Sequence, residues 1–225
     1  MDGDSISASF GSVDGAAIQT EHVNAVVEAG RKVLHLDGVV SDATVGPIIQ
    51  ILDEAGPAER FLVYIRANGG GEIQAMFELV DCLTRSQADI QIAINRYAMS
   101  AAATLWLMFA LDPIPGREGV GRVESVEPLK PTVLLYHRPR MLSSCGQYRC
   151  FLENVVDEEM KRSLQEMVEI FDEIFEQLLE RQGFSEIHAA AFNAGHAIYK
   201  HDLQFAKEAY YSNFDYVIPM KGMES

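Results

Sequence analysis

Phe61-Leu-Val-Tyr-Ile65 is a short apolar run that leads through Arg66 and Ala67 into Asn68-Gly-Gly-Gly71. The run predicts a buried strand, and the glycines after it open a helix. Residues 72–84 place five apolar side chains at helical spacing, on one face of that helix: Ile73, Met76, Phe77, Val80 and Leu83. Strand, glycines and helix in direct succession form a β-α unit, so this stretch predicts an α/β fold.

Three more runs have the same strand character, and they cover residues 32–36, 89–94 and 132–136. Between the strands over residues 32–36 and 61–65, Ser41 or Asp42 can cap a helix over residues 43–54. The apolar stretch over residues 98–111 is too short to span a bilayer and is interpreted as a buried core helix. Short strands that alternate with helices predict one domain built around a sheet.

The domain is expected to cover residues 29–220, between a flexible arm (1–28) and a short tail (221–225). Residues 112–131 are rich in glycine and proline and are expected to form a long loop. A long helix is predicted over residues 152–181, with an apolar stripe that the domain or another subunit should cover.

Composition excludes several classes of function. With 33 acidic and 18 basic residues the formal charge is −15, which disfavours binding to nucleic acid. The start of the chain has neither a basic segment nor an apolar run, so secretion is not expected. Three cysteines give no disulfide framework and no metal-ligand spacing, and the histidines form no zinc motif. We therefore expect a cytoplasmic protein without a metal or organic cofactor.

Two neighbouring features suggest acyl chemistry. Backbone N–H groups of the glycine cluster lie near a helix N-terminus and suit an oxyanion, although a plain tight turn is the commoner use of such glycines. Ser100 joins a strand to the apolar helix, where it either caps the helix or acts as a nucleophile. In the second case the N–H groups of Ala101 and Gly70 would bind the oxyanion.

His137 ends the strand over residues 132–136 and is followed by Arg138 and Pro139. A neutral imidazole within reach of Ser100 would serve as general base, with activity rising near the ordinary histidine pKa of roughly 6.5. A structural role on the surface is the alternative for a lone histidine.

Four segments, taken together, resemble the proteolytic subunit of the Clp protease. They are Val33-Leu-His-Leu-Asp-Gly-Val-Val-Ser-Asp42, Val63-Tyr-Ile-Arg-Ala-Asn-Gly-Gly70, Tyr97-Ala-Met-Ser-Ala-Ala102 and Leu135-Tyr-His-Arg-Pro139. The long helix resembles that family's handle helix, and residues 205–218 resemble its closing region. The resemblance implies a ClpP/crotonase-like fold of repeated β-β-α units with a long protruding handle helix.

The same resemblance implies a serine endopeptidase, with Ser100 as nucleophile, His137 as base, and Gly70 and Ala101 as the oxyanion hole. It also implies self-assembly into stacked rings, an AAA+ unfoldase as partner and unfolded polypeptides as substrates. The family's aspartate has no clear counterpart, and Asn193, His196 and Asp202 are the candidates for the third triad member.

Two alternatives belong to other classes of function. A catalytically impaired structural subunit of a mixed complex would explain the unmatched aspartate. A crotonase-type acyl-CoA enzyme would share the oxyanion hole but would usually work with carboxylates.

Overall fold

A computed structural model describes residues 30–111, 121–128, 131–142, 149–181 and 203–220. It is a mixed α/β structure, which confirms the α/β part of the predicted fold class. In chain order its first elements are β1 (Lys32–His35), β2 (Gly38–Val40), α1 (Asp42–Asp53), β3 (Arg60–Gly71), α2 (Ile73–Arg85), β4 (Asp89–Met99) and α3 (Ala101–Leu111). They are followed by β5 (Val123–Ser125), β6 (Thr132–Tyr136), β7 (Met141–Leu142), β8 (Arg149–Cys150), a 3₁₀ turn (Leu152–Asn154), α4 (Glu158–Arg181), α5 (Leu203–Tyr211) and β9 (Tyr216–Met220).

Seven of the described strands form one sheet with the path β1-β3-β4-β6-β9. β2 also pairs with β3, and β5 pairs with the start of β4. Every pairing in this sheet is parallel except that of β6 with β9. Because neighbouring parallel strands end at the same edge of a sheet, the segments that follow β3, β4 and β6 meet there.

The core lies between the sheet and its helices. Helices α1 and α2 each bury one face, whereas α3 is buried on nearly all sides, as its continuous apolar sequence predicts. The second half of α4 contributes Phe171, Phe175 and Leu178 to the same core. Its first half belongs to a small separate cluster in which Leu164 and Val168 pack with Val155.

Strands β3 and β4 are longer than the sequence predicts, because they run on past Ile65 and Ile94 to Gly71 and Met99. Their pairing shifts register between Ile65 and Ala67, and Arg96 takes a positive φ of 78°. The apolar alternation is interrupted at this irregularity, although the ladder itself continues.

Two predicted boundaries are wrong. The expected loop over residues 112–131 contains β5, which forms because Val123 pairs with Ile90 and the Ser125 hydroxyl donates to the Trp106 carbonyl. The long helix begins at Glu158 instead of at residue 152, because Asp157 Oδ1 accepts a hydrogen bond from Met160 N–H and so caps it there.

No helix among the described residues is long and apolar enough to cross a membrane. The predicted arm over residues 1–28, the predicted tail over residues 221–225 and residues 182–202 lie outside the described residues.

Candidate active site

The fold brings three of the predicted site segments to one edge of the sheet. Gly70 lies at the end of β3, Ser100 directly follows β4, and His137 directly follows β6. β4 pairs in parallel with both other strands, so its end lies between theirs. The carboxyl edge of a parallel sheet is where open α/β folds place their binding sites.

Ser100 occupies a tight strand-to-helix turn. Its φ is 51°, a left-handed conformation that is uncommon for a residue with a side chain. Its N–H donates to the Leu135 carbonyl at 2.8 Å, which ties the turn to β6. Its carbonyl accepts from the N–H of Thr104 at 2.9 Å and so starts α3. The Ser100 backbone is therefore held by one hydrogen bond to β6 and one to α3. Its side chain is half-buried.

The Ser100 hydroxyl makes no hydrogen bond with any described residue, His137 included. The capping role that the sequence left open is therefore not used in this structure. Capping would require the hydroxyl to accept from an N–H of the first turn of α3.

Gly70 packs directly against this turn. A Cβ placed on it would lie 2.5 Å from Ser100 Cβ and 3.2 Å from Ala101 N, and its φ is +84°. Only glycine tolerates both this φ and this approach. Ala101 opens α3, so its N–H has no acceptor within the helix. The predicted pair of oxyanion-hole residues is thus brought together beside Ser100.

Asn68 is a residue that the sequence analysis passed over. Its fully buried side chain donates from Nδ2 to the Leu36 carbonyl at 3.1 Å and accepts at Oδ1 from Gly70 N–H at 2.9 Å. In this structure the Gly70 N–H is therefore bonded to Asn68. Its position directly before the glycines was the signal that could have identified it.

His137 is half-buried, and its Nδ1 lies 2.6 Å from the carbonyl oxygen of Arg138. Since a carbonyl only accepts hydrogen bonds, this contact requires the proton on Nδ1, so in the neutral ring Nε2 carries the lone pair. A general base of the Ser-His type uses that tautomer. His137 directly follows β6. Ser100 is bonded to the same strand, because its N–H donates to the carbonyl of Leu135, two residues before His137.

Arg138 ties the end of β6 to α4. Its guanidinium donates to both carboxylate oxygens of Asp172, at 2.9 and 2.6 Å, and lies 4.7 Å from the ring centre of Tyr211. Burial lowers the pKa of Arg138, but the hydrogen bonds that Arg138 donates to Asp172, together with the negative charge of Asp172, outweigh that effect and raise it. Neither Arg138 nor Asp172 was singled out from the sequence, because 34 residues separate them.

An aromatic cluster lies beneath this ion pair. Tyr136 stacks between Phe171 and Tyr210, and the Tyr136 hydroxyl donates to the Phe171 carbonyl at 2.8 Å. Burial raises the pKa of both tyrosines far above the ordinary value, so they stay neutral. The residue before His137 is therefore anchored in the core by stacking and by a hydrogen bond.

A groove of about 780 Å³ begins at Gly71, next to the glycine that touches Ser100. Ile73, Met160, Leu164 and Met167 give it an apolar wall, and Glu72, Asp157 and Glu159 add carboxylates. Ser100 and His137 do not line it. The groove therefore extends from the glycine turn toward the start of α4.

Other chemistries find little support in the described part of the chain. No group of three histidine, cysteine or acidic side chains there is arranged to hold a metal ion. Burial, followed by the nearby Asp53, raises the pKa of the Cys82 thiol to about 12, so it is a poor nucleophile. The candidates for the third triad member, Asn193, His196 and Asp202, lie outside the described residues.

Comparison of the chain with models of known protein families finds none that matches, and no curated protein matches it either.

Proposed function

We propose that this chain is a serine endopeptidase subunit similar to the proteolytic subunit of the Clp protease, with a ClpP/crotonase-like fold. The packing of Gly70 against the left-handed Ser100 turn carries the proposal, because it places backbone N–H groups beside a serine at a helix N-terminus. Strained serine turns of this kind expose the hydroxyl to a substrate in other hydrolase folds.

In the proposed reaction Ser100 Oγ attacks a peptide carbonyl while His137 Nε2 takes the hydroxyl proton. The Ala101 N–H stabilises the oxygen that becomes negative, and His137 then gives its proton to the leaving amine. Water then hydrolyses the resulting acyl-enzyme. His137 takes a proton from the water and gives it to Ser100 Oγ as the leaving group. The hydroxyl and His137 are not hydrogen-bonded here, and substrate binding would have to tighten that contact.

The groove beside Gly71 suits an extended polypeptide. Its apolar wall would take an apolar side chain of the substrate, and its carboxylates would disfavour acidic ones. An unfolded chain satisfies this requirement, because a folded one keeps its apolar side chains buried. Cytoplasmic location, assembly into stacked rings and supply of substrate by an AAA+ unfoldase belong to the same proposal.

A catalytically impaired structural subunit is the second candidate. One observation favours it: the Gly70 N–H, expected to be the second oxyanion donor, is bonded to the buried Asn68 side chain. With the Gly70 N–H engaged in this way, the Ala101 N–H at the start of α3 would be the remaining donor to the oxyanion. Loss of one oxyanion donor costs other enzymes about 100-fold to 1,000-fold in turnover.

Labelling with a fluorophosphonate probe, followed by peptide mapping, separates the two candidates. We expect the probe on Ser100 in the native chain, and none on Ser100→Ala. Ser41→Ala is the matched control, because Ser41 also precedes a helix, α1. Absence of label from the natively folded chain would contradict the peptidase and favour the structural subunit.

A further inference from the structure

The contact between His137 and Arg138 determines more than the presence of a base. An imidazole has two neutral tautomers, and only the one with the proton on Nδ1 presents a lone pair at Nε2. The Arg138 carbonyl, 2.6 Å from Nδ1, selects that tautomer. This carbonyl therefore favours the tautomer in which Nε2 of His137 can accept a proton.

The residue that carries this carbonyl is held by its own side chain. Its guanidinium and Asp172 form a two-pronged ion pair, and the Arg138 side chain is only 14% exposed. Planar pairs of this kind constrain both partners geometrically as well as energetically. Buried Pro139, on the other side, restricts the backbone through its ring. The peptide unit that bonds to His137 is thus held at both ends.

We propose that Asp172, acting through Arg138, is the positioning residue that keeps His137 in the tautomer needed to accept the proton of Ser100. This is the role that an aspartate in direct contact has in a Ser-His-Asp triad. The inference deepens the proposed function and rests on it. It also means that α4, which carries Asp172, orients the base from outside the sheet.

A purely structural ion pair is the competing explanation, since Arg138 also stacks on Tyr211 and ties α4 and α5 to β6. Such a role would affect stability but would leave the tautomer of His137 unchanged. The tautomer is therefore the decisive measurement. It is read from the two ring nitrogen shifts of the full chain labelled with ¹⁵N at histidine, with His137→Gln used to assign the signals.

We expect the native chain to have Nδ1 protonated at neutral pH. In Asp172→Asn and Arg138→Lys the tautomer protonated at Nε2 should appear, and fluorophosphonate labelling of Ser100 should slow about tenfold. Arg138→Lys keeps a charge at this position but loses the planar fork, so it remains informative if Asp172→Asn fails to fold.

The matched control is Asp53→Asn, which breaks another ion pair in which one arginine, Arg85, contacts both carboxylate oxygens. It should change neither the tautomer nor the labelling. Retention of the Nδ1 tautomer in both test variants, or an equal shift in Asp53→Asn, would overturn the inference. If the native chain does not label at Ser100, the proposed function fails, and the tautomer still decides whether Asp172 positions His137.

Discussion

Gly70 and Ser100 touch across two neighbouring strands: a Cβ on Gly70 would stand 2.5 Å from Ser100 Cβ, closer than any real contact. The two residues are 30 positions apart, at the ends of β3 and β4. Their contact sets where the serine side chain lies relative to the glycine turn. A single methyl group added to Gly70 would therefore disturb that arrangement.

We therefore expect Gly70→Ala to displace the Ser100 turn. The new methyl group meets Ser100 Cβ and the Met99 carbonyl, and the φ of +84° is strained for alanine, so stability should fall by about 1–3 kcal/mol. Labelling of Ser100 should slow at least tenfold. Urea unfolding and probe labelling measure the two effects.

Gly69→Ala is the control for that substitution. A Cβ on Gly69 meets nothing within 4 Å, and Gly69 has no positive φ. It should label at nearly the native rate. If the two variants behave alike, the contact between Gly70 and Ser100 does not position the serine.

Asn68→Ala should separate stability from reactivity. The substitution leaves the Leu36 carbonyl and the Gly70 N–H without their buried partner, at a cost of about 1–3 kcal/mol for each group that stays unpaired. The released Gly70 N–H becomes a second oxyanion donor, so the folded fraction should label severalfold faster than the native chain.

Asn95→Ala serves as the control for Asn68→Ala, because Asn95 on β4 donates to the hydroxyl of Tyr64 on β3, the strand that carries Asn68. Its labelling rate should not rise. A folded Asn68→Ala chain that labels no faster would show that the Gly70 N–H takes no part in oxyanion binding.

The start of the long helix offers a surface for assembly. Val156 is 91% exposed and Met160 is 47% exposed, although both are apolar. If the chain forms rings that stack through this helix, Val156→Glu with Met160→Glu should dissociate the assembly, since buried carboxylates carry a large desolvation cost. Sedimentation at micromolar concentration measures the change.

Exposed Ile51, on α1, provides the comparison for that surface, because it is 43% exposed and lies outside the long helix. Ile51→Glu should leave the assembly intact. A native chain that sediments as a monomer would refute the expected rings.

Glu176 should contribute to acid sensitivity. Hydrogen bonds from Lys207 and then from the Tyr211 hydroxyl lower its pKa below the usual 4.5. A lowered pKa means that the contribution to stability is complete above about pH 4.5 and is lost as the pH falls through the folded-state pKa. Glu176→Gln should therefore flatten the fall of Tm in acid, and only modestly, because the side chain is 41% exposed.

Glu173→Gln is the control for that experiment, since Glu173 lies on the same helix and contacts Gln177 instead of a cation. Its Tm should fall with acid as steeply as that of the native chain. An unchanged slope in Glu176→Gln would mean that the contact with Lys207 does not form in solution.

Local sequence determined most of the strands and helices around the candidate site. Apolar runs bounded by turn residues predicted β1, β3, β4 and β6, a capping residue predicted α1, and periodicity predicted α2, because these signals depend on neighbours only a few residues away. Ser100, Gly70, Ala101 and His137 were found in the same way, from their places at the ends of predicted strands. The parallel order of the strands then brings those ends to one edge.

Tertiary structure alone decided which groups meet at that edge. The hydrogen bond of Asn68 to Gly70 is short-range, but its other bond reaches Leu36 across the sheet, and Arg138 finds Asp172 on a distant helix. Strand β5 likewise forms because β4 offers it an open edge, although its own three residues carry little signal. Side-chain hydrogen bonds between remote segments depend on where the backbone carries them, and no local pattern encodes that.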